Sequence, residues 1–433
     1  MKKMNARFSS LHKIDSFAEN RSLQPTAPKL HQQIFNLVVI VAALGYFVDI
    51  YDLILFSIVR VQSLKDLGLT DAQATGTGIN LLNMQMFGML LGGILWGILG
   101  DKKGRLSVLF ITILLYSAAN IANGMVQNIG QYYVLRFLAG VGLAGELGLG
   151  ITLVSEVMSK EKRGYGTTMV SAIGIAGAVA GYFVAHYTNW RVAYYVGGGL
   201  GLLLLLLRVS IYESGMFARI KAGGPRKGDF LGMLRNRRQL GKLIQCVLIG
   251  IPVWFVIGII ITFSKEFASP KGLNIQGPVD NAMAVMYHYI GASVGALLTG
   301  LLSQRLRSRK KALLVALTGL CIGLAVFFLC RNVQVFTFYM VLLLLGIPNG
   351  YWSVFVTNAA EQFGTNLRAT VATTTPNFVR GTTLLLTSAF AATKGSLGLL
   401  PSAILIGSVV MLTAILATLA SEESFHKDLD YTE

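Results

Sequence analysis

Asp49 and Asp52 stand three positions apart in GYFVDIYDLILF (residues 45–56), within a run from Ile34 to Val59 that is otherwise almost free of charge. An ionisable side chain near a bilayer centre costs roughly 2.5 to 3.5 kcal/mol on insertion scales, so it needs a partner, water or a task. The i, i+3 spacing puts both carboxylates on one helical face with Cβ atoms about 5 to 6 Å apart. Two acids that close resist ionising together, which suits them to taking up and releasing a proton. Arg136 and Glu146 are the other charges deep in the early apolar runs. The depths predict Arg136 as partner of an ionised Asp52, with Asp52 carrying the proton, Asp49 tuning it and Glu146 near the membrane centre. The plainer alternative is a static Asp–Arg bridge between two helices.

Arg380, in TPNFVRGTTLLLT, is the cation deep in the later runs. A guanidinium stays charged and presents parallel donors to a carboxylate or phosphate. Asn377 lies one turn earlier, and Pro376 removes a backbone donor and frees polar backbone toward a cavity. The alternative is an interhelical bridge from Arg380 to an acid such as Glu146. Further candidates for a cavity lining are Asn349, Tyr351 and Trp352 beside Pro348, with Trp254, Gln85, Tyr287 and His288. For the aromatics, packing or an interfacial belt is the competing role; for His288, it is a hydrogen-bonded bridge between helices.

Helices long enough to cross a bilayer must hold these residues. Of the 433 residues 54% are hydrophobic and 13% charged, whereas soluble domains carry about a quarter charged. Several apolar runs exceed the roughly 18 to 20 residues that span hydrocarbon. The abundance of Gly (48) over Pro (9) suits closely packed membrane helices. The windows predict an all-α membrane protein with 12 transmembrane helices, at about 34–59, 79–99, 107–126, 132–157, 166–187, 192–212, 243–264, 280–302, 312–330, 336–360, 367–393 and 401–420. Domain boundaries follow: a tail at 1–33, a six-helix bundle at 34–212, a polar loop at 213–242, a second bundle at 243–420 and a tail at 421–433.

The net charge of +17 sits in short loops, which argues for membrane orientation and against nucleic acid as a partner. With the N-terminus inside, cytoplasmic segments hold about 27 of the 37 basic residues and the opposite side about 7. Both termini are expected in the cytoplasm, with no signal peptide before the first span. Cys246, Cys321 and Cys330 fall in apolar segments and read as small buried hydrophobes. No nucleotide loop, metal-ligand spacing or nucleophile-plus-base set is present, so neither an enzyme, an ATP-driven pump, a metal nor a cofactor is expected.

The halves repeat each other. Glu156 and Arg163 in SEVMSKEKRG are matched by Glu361 and Arg368 in AEQFGTNLRA, both at an offset of 205 residues. WGILGDKKGR (96–105) has a worn counterpart in TGLLSQRLRSRKK (299–311). Asp101, Arg105, Glu156, Arg163, Glu361 and Arg368 thus form a pseudo-symmetric charge set suited to closing the cytoplasmic mouth; plain topogenesis is the alternative.

These motifs resemble the major facilitator superfamily. GILGDKKGR matches its signature between helices 2 and 3 through Gly97, Gly100, Asp101, Gly104 and Arg105, with Leu106 where a basic residue is usual. RFLAGVGLAGE (136–146) resembles the helix-4 motif of the metabolite:proton symporters. DIYD is similar to the first-helix motif of these and of the aromatic acid:proton symporters, with Ile50 replacing the glycine usual in the latter. The resemblance implies two pseudo-symmetric six-helix bundles rocking about a central cavity, with Gly97 and Gly104 in the gate. Together with Arg380 it predicts a proton-coupled importer of a small organic anion (a carboxylate, polycarboxylate or carboxylate siderophore), acting as a monomer in a bacterial inner membrane. The alternatives are a proton antiporter exporting a drug or metabolite, and a symporter of a zwitterionic amino acid or betaine.

Overall fold

The computed structural model describes residues 37–103, 105–158, 163–213, 230–364 and 367–425. The predicted N-terminal tail, most of the central loop and most of the C-terminal tail lie outside them. Each apolar window is helical. The first half comprises α1 (Leu37–Asp66), α2 (Asp71–Lys103), α3 (Arg105–Asn123), α4 (Ile129–Leu143), α5 (Glu146–Val157), α6 (Arg163–Ile175), α7 (Gly177–Tyr187) and α8 (Trp190–Glu213). The second comprises α9 (Phe230–Arg235), α10 (Arg237–Phe255), a π-helical turn (Val256–Ile261), α11 (Ser264–Ala268), α12 (Asn281–Leu306) and α13 (Arg309–Leu329). It continues with α14 (Val335–Asn349), α15 (Trp352–Glu361), α16 (Arg368–Leu397) and α17 (Leu399–Ala420).

Helix ends differ from the apolar windows for local reasons. α1 and α2 overrun theirs because helical hydrogen bonding continues into the interfacial zone once a turn exists. Residues 230–242, read from the sequence as loop, instead form α9 and the start of α10. Asn236 caps α10 by accepting from the N–H groups of Arg238 and Gln239. Asn128, Asp280 and Ser308 cap α4, α12 and α13 in the same way.

Four windows are broken at depth. α4 and α5 part at Ala144–Gly145, α6 and α7 at Ala176, and α14 and α15 at Gly350–Tyr351 after Pro348. Downstream of Pro252 the helix widens to π geometry, with the Thr262 N–H bonded to Ile257 O. Such breaks are tolerated in a membrane where protein or a cavity satisfies the freed backbone.

The molecule presents apolar side chains outward and keeps its mid-helix charges within. Leu203, Leu206, Leu329, Leu385, Leu412 and Leu416 are exposed, while Asp49, Asp52, Arg136, Glu146, Arg208, His288 and Arg380 are buried. Nine helices of the described residues are long and apolar enough to cross a membrane, and Ser107–Asn123 is a shorter apolar one. A bilayer is the solvent that matches this distribution.

Two seams join the halves: α2 lies along α16, and α6 lies along α12. Ser57 Oγ and Thr262 Oγ1 meet at 3.2 Å, and their sequence separation of 205 equals the repeat offset. This bond joins α1 of the first half to the residue that follows the π turn of the second. The end holding the start of α1 is termed the terminal end below, and the opposite one the far end.

Candidate functional site

Arg380 is 1% exposed and lies where α16 faces α1. Its Nη2 is 3.7 Å from Asp49 Oδ2, and its Nη1 donates to Asn377 Oδ1 at 3.3 Å. The rings of Trp352 and Trp254 flank the guanidinium, with centroids 5.8 and 6.0 Å from its central carbon. Asn377 is itself held, donating to Ala144 O and Thr373 O at 2.7 Å each. It therefore pins the break between α4 and α5 to α16 while orienting the arginine. Arg380 Nε and Nη2 and both Asp49 oxygens have no hydrogen-bond partner. One edge of the guanidinium is thus a pair of parallel, unused donors. Asp49 of the first half and Trp254 of the second thus meet at the same cation. Tyr46 and Tyr289 also face Arg380. Both were missed from sequence, although Tyr46 stands three positions before Asp49 on α1.

The expected Asp52–Arg136 contact does not form. Arg136 Nη1 donates to Tyr194 OH at 3.3 Å, and its guanidinium lies over the Phe56 and Tyr194 rings at 5.4 and 5.6 Å. Asp52 turns toward α3 and α8, where a Cβ at Gly197 would overlap its Oδ1. The amide of Asn120 is its polar neighbour. The two aspartates share a face only loosely: at 3.6 residues per turn, positions i and i+3 differ by about 60° around the axis. That angle sends Asp49 across the seam and Asp52 into its own half.

Glu146 also has a different partner. Arg208 Nη1 donates to Glu146 Oε2 at 3.0 Å, and Arg208 Nη2 makes a second, parallel bond to Oε1. Gly45 makes room for this pair, because a Cβ there would overlap Glu146 Oε1 and Arg208 Nη2. Arg208 stands in the last two turns of α8, yet it is buried. Other expected lining residues are committed to helix contacts. Gln85 donates to Leu53 O at 3.3 Å, and Tyr351 OH donates to Ile249 O at 2.7 Å. His288 is held between Leu342 O at 3.3 Å and the Asn349 amide at 3.1 Å. Tyr287 stacks on Tyr339 at 5.2 Å.

The halves touch at both ends. At the far end Arg60, 1% exposed, reaches across to Glu266 at 3.0 Å and lies over the Phe263 ring. Asn281 Nδ2 donates there to Ser57 O at 2.9 Å. At the terminal end Thr357 Oγ1 donates to Thr167 Oγ1 at 3.1 Å, and a Cβ at Gly97 would lie 3.5 Å from Thr370 O. Glu361 is bound by Arg309 through two bonds of 3.1 Å. Gly104 and the side chains of Asp101, Arg105, Glu156, Arg163 and Arg368 lie outside the described residues. The chain after α17 folds back over Glu361. Ser424 Oγ donates to Glu361 Oε2 at 3.0 Å, and Phe425 packs on Arg309. Glu423 accepts from Ser308 Oγ and from the Arg309 N–H at 2.8 Å, capping α13.

A buried cation and aspartate at the contact of two repeated helical halves, whose described residues touch at both ends, suit a carrier and not a catalyst. Residues 42–375 match the Major Facilitator Superfamily. The chain belongs to that superfamily. This facilitator is a multi-pass integral membrane transporter. It is 25% identical over 362 residues to the niacin transporter NiaP of Acinetobacter baylyi, covering 76% of this chain and 80% of that one. It is 25% identical over 384 residues to the cis,cis-muconate transport protein of the same organism, covering 84% and 89%. Among solved structures, the proton:xylose symporter XylE bound to 6-bromo-6-deoxy-D-glucose shares the facilitator's fold. The TM-score is 0.68 at 16% identity, over 93% of this chain and 98% of that one.

Proposed function

We propose that this facilitator is a proton-coupled importer of a small organic anion, bound through a carboxylate. The observation that carries this reading is the unused donor pair of Arg380, opposite Asp49 and between Trp254 and Trp352. A carboxylate can take Nε and Nη2 in parallel, with the apolar or aromatic body of the substrate between the indoles. Niacin and cis,cis-muconate, which name two relatives, are both carboxylic acids. Glu146, occupied by Arg208, is not available to an amine, which weighs against a zwitterionic cargo.

Coupling follows from competition. Asp49 and the substrate carboxylate are rival anions for one guanidinium. A proton on Asp49 releases Arg380 to the substrate, and return of the charge expels it. Protonation and binding therefore favour each other, as symport requires. The contacts at the two ends would open alternately around this site. The chain crosses the membrane twelve times in this reading, with both termini on the basic, cytoplasmic side.

Uptake into proteoliposomes under an imposed pH gradient tests the proposal, comparing aromatic monocarboxylates, dicarboxylates, amino acids and sugars. Carboxylates should accumulate with the gradient. Asp49→Asn should abolish accumulation while keeping counterflow exchange. Gradient-driven accumulation by the Asp49→Asn variant at the wild-type level would remove Asp49 from the coupling.

A further inference from the structure

Asp52 does not reach Arg380, and its surroundings differ from those of Asp49. Its carboxylate lies among Ser117 and Asn120 of α3 and the glycine face of α8, where Gly197 and Gly201 admit Asp52 Oδ1 and Ser117 Oγ. The carboxylate oxygens and the Ser117 hydroxyl are buried, with the Asn120 amide beside the carboxylate and no well-formed hydrogen bond to any of them. Buried polar groups are ordinarily paired, so a niche with this many open ones calls for an explanation in what passes through it.

A line of hydroxyls runs from beside this niche toward the far end. Arg136 Nη1 donates to Tyr194 OH at 3.3 Å, Tyr194 OH and Tyr132 OH are 2.8 Å apart, and Tyr132 OH donates to Ser63 Oγ at 3.4 Å. All three hydroxyl-bearing residues are buried. Asp66 follows Ser63 by three positions on α1, with its side chain 52% exposed and its Oδ2 paired with Arg191 Nη2 at 3.3 Å. Trp190 Nε1 donates to Asp66 Oδ2 at 3.1 Å, while its ring stacks on Tyr132 and covers the line.

We propose that Asp66, Ser63, Tyr132 and Tyr194 form a proton path from the far end to Asp52, separate from the seam where substrate binds. This rests on the proton-coupled reading above. A proton collected by Asp66 passes to Ser63. Tyr132 donates to Ser63 and Ser63 to Arg60 O in this structure. Each hydroxyl therefore turns toward the next before it hands its own proton on, and it gains one in exchange, so none changes charge. The proton ends on Asp52. The titratable and charged groups around Asp52 are Asp49 and Tyr51 on α1, Tyr116 on α3, Arg136 on α4 and Tyr194 on α8. Asp49 is the second acid among them, one turn away. A transfer from Asp52 to Asp49 would deliver the proton to the group that controls Arg380. The aspartates then divide the work: Asp52 receives and Asp49 releases the arginine.

Proteoliposomes loaded with a pH-sensitive dye, with benzoate as the probe, test the path through carboxylate-induced lumen acidification and counterflow. Tyr132→Phe and Tyr194→Phe should each slow acidification by about tenfold, as expected when a positioned proton carrier is removed, and leave counterflow intact. Acidification at the wild-type rate in both variants overturns the path. If either variant also loses counterflow, Ser63→Ala decides. Slowed acidification with intact counterflow then upholds the path, and an unchanged rate overturns it. Absence of acidification by the wild-type protein, with benzoate counterflow present, overturns the proton-coupled reading and the path with it.

Discussion

Arg380→Lys keeps the charge beside Asp49 and removes the fork. In the wild type Nη1 is engaged by Asn377, leaving Nε and Nη2 as the donors free for an incoming carboxylate. Lysine offers one compact ammonium, so at least one of the two charge-assisted bonds is lost. Hydrogen bonds to charged groups contribute about 1.5 to 3 kcal/mol each. At 1.4 kcal/mol per tenfold, the dissociation constant should rise by about ten- to a hundredfold. The two indoles within 6.0 Å of the guanidinium supply the assay, since carboxylate binding between them should change their fluorescence. Titration of purified wild-type and variant protein at fixed pH gives the ratio directly. An unchanged dissociation constant in a folded variant would refute two-point carboxylate binding at Arg380.

Other residues lead to equally concrete expectations. Gly45→Ala should wedge apart the buried Glu146–Arg208 pair; losing such a pair costs about 3 to 5 kcal/mol. A marked fall in thermal stability in detergent checks this, and a wild-type Tm would show that the helices shift to absorb the methyl. Glu266→Gln removes the anion that Arg60 reaches across the far end. Spin labels on the far ends of α1 and α12 should then report a population shifted toward far-end opening, and an unchanged distance distribution would assign the closure to Ser57, Thr262 and Asn281. Burial opposes ionisation of Glu423, yet bonds from Ser308 and from the N–H groups of Arg309, Phe425 and Lys310 hold its carboxyl below its ordinary value of 4.5. A depressed carboxyl stabilises the folded segment above the ordinary value and loses that effect as pH falls through the lower, folded one. Hydrogen-exchange protection of Ser424 and Phe425 should therefore be flat near neutral pH and decline only in acid, whereas Glu423→Gln should lower it throughout.

The sequence by itself determined the solvent, the element type and the duplication. Hydrophobic run length is a local property, and a bilayer accepts such runs only as helices, so each apolar window is helical. The 205-residue offset that relates Glu156 and Arg163 to Glu361 and Arg368 is equally readable. It also singled out Asp49, Asp52, Arg136, Glu146 and Arg380, because charges in hydrocarbon are conspicuous. Their partners depended on tertiary structure alone. Depth along a helix follows from residue count, but which neighbour a side chain meets depends on the rotation of each helix about its axis and on the packing between helices. A turn of about 60° separates Asp49, facing Arg380, from Asp52, facing Gly197 and Asn120. Likewise only the close approach at Gly45 brings Arg208 to Glu146. Side-chain identity is written residue by residue, whereas pairing is decided by the packing of α1, α5, α8 and α16 together.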